Sequence, residues 1–257
     1  MKQLDFVKPL DLKEVEKFVA SHIAKFHQRR LESAGKMDLK AILKRKNPYL
    51  FRAKNMNRAG DLINGFLDAA ISSSEEEIFG DFLEDLAIFI AKETYGAEKS
   101  PAPGIDFQFN KDGITYIVSV KSGPNWGNSS QQDKQEENFK RATKVLKGSS
   151  HTRHVEAILG ICYGKTRTTS LRGYQKIVGQ NFWYFISGNE NLYTDIIKPL
   201  GHRAKECNEE FQAKRDALAN RLTMEFMKEF CDENGYINWI RLIQLNSGNL
   251  HLNPIIH

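Results

Sequence analysis

The sequence predicts an α/β fold in which helices flank a strand-rich middle section of the chain. Apolar residues recur at helical spacing through most of the first hundred residues. Short apolar and β-branched runs follow between about residues 105 and 178, and helical periodicity returns from about Ala204. A chain that mixes these elements is expected to cover a sheet with helices.

Composition excludes several classes of protein. The chain has 257 residues, of which 40% are hydrophobic and 27% charged, as in ordinary globular proteins. No apolar run reaches the roughly 18–20 residues of a membrane helix, so no membrane span is expected. The cysteines Cys162, Cys207 and Cys231 fit neither a disulfide framework nor a zinc motif, which predicts a reducing, cytoplasmic location. No Walker A or GxGxxG sequence is present, so no nucleotide cofactor is expected.

The N-terminal third is predicted to be helical. Apolar spacing predicts a helix over residues 12–34, and Pro48 interrupts the pattern before another helix near Phe66. Ser72–Ser74 precede three glutamates, a pattern typical of a helix N-cap, because hydroxyls accept free amide protons and acids suit the positive end of the helix dipole. This helix is expected to run to about Thr94.

The middle and C-terminal parts supply the strands and the remaining helices. Strands are predicted at Ile105–Phe109 and Ile114–Val120, which are joined by a tight turn at Asn110–Gly113. The run Val155–Tyr163 is predicted to be a buried central strand. The other predicted elements are a strand at Lys176–Val178 and helices at Gln132–Leu146, Phe182–Ile186, Ala204–Glu233 and Trp239–Leu245.

Asp106 and Lys121 are the main candidates for catalysis. They lie fifteen residues apart, near the start of one strand of the predicted hairpin and at the end of the other. Such a pair suits metal-assisted phosphodiester hydrolysis, because a carboxylate holds Mg²⁺ and a lysine positions a water or offsets charge in the transition state. A turn aspartate beside a solvated lysine is the alternative on spacing alone.

Asp106, the hairpin and Ser119-Val120-Lys121 resemble the PD-(D/E)xK nuclease motif. The later segments SGPNWGNSSQ, YGK…LRGY and FWYFISG resemble type II restriction endonucleases of the EcoO and PmeII groups, over about residues 47–201. The resemblance implies a restriction-endonuclease-like core with a central mixed sheet of about five strands and N- and C-terminal helical additions. It places a helical region for dimerisation or DNA clamping at residues 1–70 and a continuous nuclease core at residues 71–257.

The same resemblance implies Mg²⁺-dependent, sequence-specific cleavage of double-stranded DNA that leaves 5′-phosphates. Lys121 would be the activating base, and Asp106 and the Val120 carbonyl would bind the metal. Because a palindrome presents two equivalent strands, a homodimer with two active sites is expected. Two alternatives stay open: a structure-selective repair or junction nuclease on the same fold, and a non-catalytic DNA-binding protein with a decayed site.

Ser119 departs from the motif, because an acid normally stands two residues before the lysine. A hydroxyl does not supply the charge of a carboxylate ligand, so another acid is needed. On the predicted helix, Glu84 lies in a narrow stripe with small residues at positions 80, 87 and 91, which would let the helix approach a second surface. Glu84 is the first choice for the missing ligand and Glu77 the second; a solvated glutamate is the alternative.

DNA contacts are predicted in three segments. The alternative for the first is a surface loop with Trp126 buried as an anchor, and the alternative for the other two is a solvated surface. The loop after Lys121 combines glycine freedom with an aromatic ring and polar groups, the following helix carries a lysine stripe, and a later basic loop suits groove entry. The candidates are Asn125, Trp126, Asn128, Ser129, Ser130, Gln131, Lys140, Lys144, Lys165, Arg167 and Arg172.

Overall fold

The computed structural model describes residues 8–149, 154–165 and 167–249. Within them, the helices are α1 (Leu12–Gly35), α2 (Leu39–Arg45), α3 (Pro48–Ala53), α4 (Ala59–Tyr95), α5 (Ser129–Ser149), α6 (Gln180–Ser187), α7 (Leu192–Asp195), α8 (Ile197–Leu200), α9 (Ala204–Phe230) and α10 (Trp239–Ser247). The strands are β1 (Glu98–Lys99), β2 (Phe107–Lys111), β3 (Ile114–Lys121), β4 (Val155–Ile161), β5 (Thr169–Leu171) and β6 (Tyr174–Val178). None of the helices in these ranges is both long and apolar enough to cross a bilayer.

The six strands form one mixed sheet in the order β1-β2-β3-β4-β6-β5. β2 and β3 are an antiparallel hairpin, β3, β4 and β6 are parallel, and β5 returns antiparallel to β6. The predicted α/β class with a mixed central sheet is confirmed, with six strands instead of about five. Because β3, β4 and β6 are parallel, the residues that follow them meet at one edge of the sheet, here called the C-terminal edge.

Helices cover both faces of this sheet. Val118 and Val120 of β3 belong to an apolar cluster that also contains Phe82, Leu86 and other residues of α1, α4 and α6. Their neighbour Ile117 faces the other way and packs with residues of α5. This alternation follows from the two-residue period of a strand, and it places α4 and α5 on opposite sides of β3.

The described chain divides into two compact units. One holds the chain up to Phe26 together with Phe79–His202, and it contains the whole sheet. The other holds His27–Ile78 and the chain from Arg203, and it is helical around a core of its own. The domain division predicted after residue 70 stays a prediction.

The predicted helix start at Ser72–Ser74 is wrong. α4 runs without a break from Ala59 to Tyr95, and the serines lie inside it. The Ser73 hydroxyl donates to the Ala69 carbonyl one turn earlier at 2.9 Å, and the Ser74 hydroxyl is 2.7 Å from that of Ser33 on α1. Because these two hydroxyls find partners within the helix and on its neighbour, the serines do not end the helix.

Candidate active site

Asp106 is attached to the strand that ends at Lys121. Its backbone N–H donates to the Val118 carbonyl at 2.8 Å, and its carboxylate Oδ2 accepts the Val120 N–H at 2.6 Å. The carboxylate thus takes the place that a further residue of β2 would occupy in the ladder. Since the N–H and C=O of one residue point to the same side of an antiparallel pair, the Val120 carbonyl also points toward Asp106.

The loop before Asp106 is held by α5. Gly104 has a φ of +76°, and a methyl group there would lie 2.1 Å from the Asn138 amide nitrogen. The buried Gln135 side chain donates to the Gly104 carbonyl at 2.9 Å. Sequence reasoning missed both α5 residues, since a buried glutamine in a polar helix reads as a surface residue. The glycine and the amide together fix the path of the chain into Asp106.

Glu84 reaches the same site from α4. Ala87 and Ala91, small residues on the same stripe of α4 as Glu84, are fully buried. A methyl group at Gly80 would lie 3.7 Å from the Ser122 hydroxyl. The small residues of this stripe therefore allow close packing. Burial raises the pKa of Glu84, the Asp106 charge raises it further, and Lys121 partly opposes this. The charges of Asp106 and Lys121 therefore both act on the Glu84 carboxylate.

Lys121 ends β3 with its side chain half-buried, and its ammonium lies 5.6 Å from the centre of the Trp126 ring. The ladder continues past the strand, because the Cys162 N–H donates to the Lys121 carbonyl at 3.0 Å. Burial raises the pKa of the Cys162 thiol far above its usual value, with a further contribution from Glu84. The Cys162 thiol is therefore neutral and unreactive at physiological pH.

Ser119 offers no charge in place of the motif acid. Its side chain is fully buried, and its hydroxyl has no hydrogen-bond partner within the described residues. Glu77, the second choice, is exposed and lies in the helical unit, where it lines a depression with Lys36 and Lys46. Of the two predicted replacements, Glu84 is the one whose charge couples to Asp106 and Lys121.

No group of three or more His, Cys, Asp or Glu side chains suited to a metal occurs in the described ranges. The site instead offers two carboxylates and the Val120 carbonyl. Oxygen donors of this kind suit a hard cation that keeps several of its waters. The Asp106 charge adds to the raised pKa of Glu84, so the two carboxylates repel each other, and a divalent cation between them would offset this repulsion. The residues present therefore fit Mg²⁺.

Two candidates in the loop after Lys121 build a helix terminus. The Gln131 N–H donates to the Asn128 side chain at 3.0 Å, and the Asn128 N–H donates to the Gln131 side chain at 3.0 Å. This reciprocal pair is a capping box. α5 begins at Ser129, earlier than predicted, so Ser129 and Ser130 lie exposed in its first turn. The predicted loop therefore ends before them.

The other two loop candidates differ in burial. Asn125 is exposed, whereas Trp126 is half-buried against the apolar cluster beneath α5. The tryptophan therefore anchors the loop, and it also borders Lys121.

Among the basic candidates, Lys165 and Arg167 are exposed in the segment after β4, at the C-terminal edge that also carries Lys121.

The remaining basic candidates lie along α5 and the β5–β6 turn. Because α5 connects the parallel strands β3 and β4, it runs back along the sheet, and Lys144 lies toward the edge opposite Lys121. Lys140 forms an ion pair with Glu136 at 2.6 Å. Arg172 pairs with Asp133 and lies 4.0 Å from Glu136. Lys140 and Arg172 are therefore engaged by acidic residues of α5, and DNA contact by these three residues stays a prediction.

A mixed sheet with flanking helices is compatible with the core of restriction endonucleases. The family model described as type II restriction endonuclease EcoO109I matches residues 13–208 of the chain. The chain therefore belongs to this family, as the sequence resemblance predicted, and it is a site-specific endodeoxyribonuclease that acts on DNA. None of the curated proteins compared with the chain matches it.

Proposed function

We propose that the protein cleaves both strands of a specific DNA sequence by Mg²⁺-dependent hydrolysis and leaves 5′-phosphates, with a PD-(D/E)xK-type site in which Glu84 replaces the acid missing at Ser119. The observation that carries the proposal is the 2.6 Å hydrogen bond from the Val120 N–H to the Asp106 carboxylate. It fixes the acid beside the strand that presents Lys121, and Glu84 lies close enough for its pKa to respond to both.

The proposed metal ligands are the Asp106 carboxylate, the Glu84 carboxylate and the Val120 carbonyl. The Asp106 oxygen that does not accept the Val120 N–H is available for this role. When bound, Mg²⁺ supplies polarisation of the scissile phosphate and a lowered pKa of a bound water. Charge balance supports this set, because a cation offsets the repulsion between two neighbouring carboxylates.

Lys121 is proposed to be the activating group. Its ammonium hydrogen-bonds the attacking water or offsets negative charge that develops on the phosphate in the transition state. The Trp126 ring beside the ammonium restricts the side chain by packing and by attraction between a cation and an aromatic face. Such restriction holds the lysine at the end of β3, next to the acids.

A homodimer is proposed as the active form. A palindromic DNA site presents the two strands related by a two-fold axis, and one active site per subunit cuts both strands without rebinding. Gel filtration and light scattering of the protein, with and without DNA, measure this directly. The cytoplasmic location stays a prediction from the sequence.

Incubation of the purified protein with phage DNA in Mg²⁺, in Ca²⁺ or in EDTA tests the cleavage proposal. We expect discrete fragments with Mg²⁺ alone, with 5′ ends that a kinase labels only after phosphatase treatment. Lys121→Ala and Glu84→Gln are expected to abolish the fragments. Glu77→Gln, on the same helix, is the matched control and is expected to cut like the wild type.

Other outcomes contradict parts of the proposal. A smear instead of bands contradicts sequence specificity and favours a repair-type nuclease. Intact DNA that still binds the protein contradicts hydrolysis and makes Ser119 the mark of a decayed site. Loss of cleavage in Glu77→Gln but not in Glu84→Gln reverses the assignment of the metal ligand.

A further inference from the structure

Tyr163 is an exposed aromatic residue at the C-terminal edge that the proposed mechanism leaves unused. It follows Cys162, directly after β4, and 58% of its surface is exposed. Its N–H donates to the Ser122 carbonyl at 3.2 Å, next to the bond from the Cys162 N–H to the Lys121 carbonyl. The backbone of Tyr163 is therefore fixed relative to the catalytic lysine.

The Tyr163 ring lies over Gly123, two residues after Lys121. A methyl group at Gly123 would lie 2.5 Å from the Tyr163 hydroxyl and 2.7 Å from the ring carbon that carries it. The absence of a side chain at Gly123 is thus what allows the phenol to lie there. Gly164 likewise packs on Pro124, because a methyl group at Gly164 would lie 3.1 Å from the proline ring. The loops after β3 and β4 therefore pack directly on each other beside the tyrosine.

The Tyr163 phenol lies close to Lys121. Tyr163 follows Ile161, the register partner of Lys121, by two residues, and its hydroxyl lies against Gly123, which follows Lys121 by two residues. Two residues of chain span at most about 7 Å, so Gly123 lies within that distance of Lys121 along the backbone. Exposed Lys165 continues the same segment.

We propose that the Tyr163 hydroxyl donates a hydrogen bond to a backbone phosphate of DNA, next to the phosphate that Lys121 faces. The proposal rests on the proposed cleavage function and adds a DNA-contacting residue to it. Tyrosine hydroxyls are among the groups that bind phosphate oxygens and fix the register of a protein on DNA. The contact positions the scissile bond and does not recognise the base sequence of the DNA.

Tyr163→Phe removes the hydroxyl and keeps the ring. We expect kcat/KM for cleavage to fall by about 10-fold to 100-fold, the range for losing one hydrogen bond to a charged group. Tyr184→Phe on α6, where 50% of the tyrosine is exposed, is the matched control and is expected to cleave like the wild type. Since the hydroxyl is uncharged, the salt dependence of DNA binding is expected to stay unchanged in Tyr163→Phe.

Neutral phosphate substitutions locate the contact. Once fragment ends have identified the cleavage site, single methylphosphonates are placed at each phosphate that flanks it. We expect one position at which the difference between wild type and Tyr163→Phe disappears. A difference of equal size at every position overturns the proposal, as does full activity of Tyr163→Phe, even where Tyr163→Ala is impaired through lost packing on Gly123.

Failure of the cleavage proposal is distinguishable from failure of this one. If the wild type binds the DNA without cutting it, the proposal of hydrolysis is contradicted. The wild type and Tyr163→Phe are then compared by their affinities for phage DNA fragments and for the same fragments with methylphosphonate substitutions. Weaker binding of Tyr163→Phe that the neutral phosphate cancels then supports the hydroxyl contact. Equal affinities of wild type and Tyr163→Phe overturn it.

Discussion

Replacement of Gly160 by alanine is expected to destabilise the sheet beside the active site. Gly160 lies in β4 in register with Val120, and a methyl group there would lie 2.1, 2.5 and 2.6 Å from three atoms of the Phe182 ring. Ordinary contacts need about 3.5 Å or more, so the ring edge has to retreat by more than about 1 Å. Phe182 is fully buried, which leaves it no free space to enter.

Overpacking of this kind costs about 1–3 kcal/mol, and the closeness of the contact favours the upper end. For a chain of this size, about 3 kcal/mol corresponds to a fall of roughly 6–12 °C in Tm. Thermal and urea unfolding measure the change. Gly148→Ala in α5 is the matched control, because a methyl group there meets nothing within 4 Å, and it is expected to be neutral or slightly stabilising.

The double variant Gly160→Ala/Phe182→Leu separates steric overlap from other causes. A smaller side chain at residue 182 leaves room for the methyl group, so the double variant is expected to lose less stability than the sum of the two single variants. Strict additivity, or a Gly160→Ala variant as stable as Gly148→Ala, would refute the reasoning.

Four further predictions concern charge and polarity. Ser119→Ala removes a buried hydroxyl that has no hydrogen-bond partner in the described structure. We therefore expect the free energy of unfolding to rise by about 1 kcal/mol and cleavage to stay unchanged. Loss of cleavage would show that the hydroxyl serves the active site. Because burial and Asp106 raise the pKa of Glu84, protons compete with the proposed metal, and the Mg²⁺ concentration needed for half-maximal cleavage is expected to rise as pH falls toward that pKa. A raised pKa of Glu84 in the folded protein favours the folded state at low pH, and this contribution is lost as pH rises through the pKa of the folded state. Glu84→Gln is therefore expected to raise the free energy of unfolding of the metal-free protein at neutral pH. A lower free energy of unfolding in this variant contradicts the reasoning. Lys165→Ala is expected to reduce the slope of log affinity against log salt by about 0.9, whereas Lys144→Ala near the opposite edge leaves it unchanged; equal slopes for the two variants would contradict the assignment of the DNA-facing edge.

The hairpin that carries the site was predictable because it is a local structure. Asp112 and Gly113 both have positive φ, 54° and 76°, and they connect Lys111 to Ile114 in a two-residue turn. An Asp-Gly pair between alternating apolar residues is a strong signal for such a turn. Once the turn is fixed, strand period and register place Asp106 opposite the end of β3. Long α1 and the buried strand β4 were predictable for the same reason, since short-range periodicity specifies them.

The helix that supplies Glu84 was predictable only in part. Periodicity identified the stripe of small residues, and Ala87 and Ala91 are indeed buried along it. The start of α4 was missed because serines before acids have the same composition at an N-cap and inside a helix. In the structure, the Ser73 hydroxyl donates to the Ala69 carbonyl within the helix. The Ser74 hydroxyl contacts that of Ser33, which is 41 residues away in sequence, so the sequence alone could not show this partner.

The sequence by itself determined the α/β class and the hairpin on which Asp106 and Lys121 lie, because these depend on spacing within a few dozen residues. Tertiary structure decided which glutamate couples to that pair, that Arg172 is engaged by Asp133, and that Tyr163 lies over Gly123. Periodicity shows that a face is apolar or polar, but not which distant segment covers it. That choice depends on packing and on the electrostatics of groups far apart in sequence, and it exists only once the chain has folded.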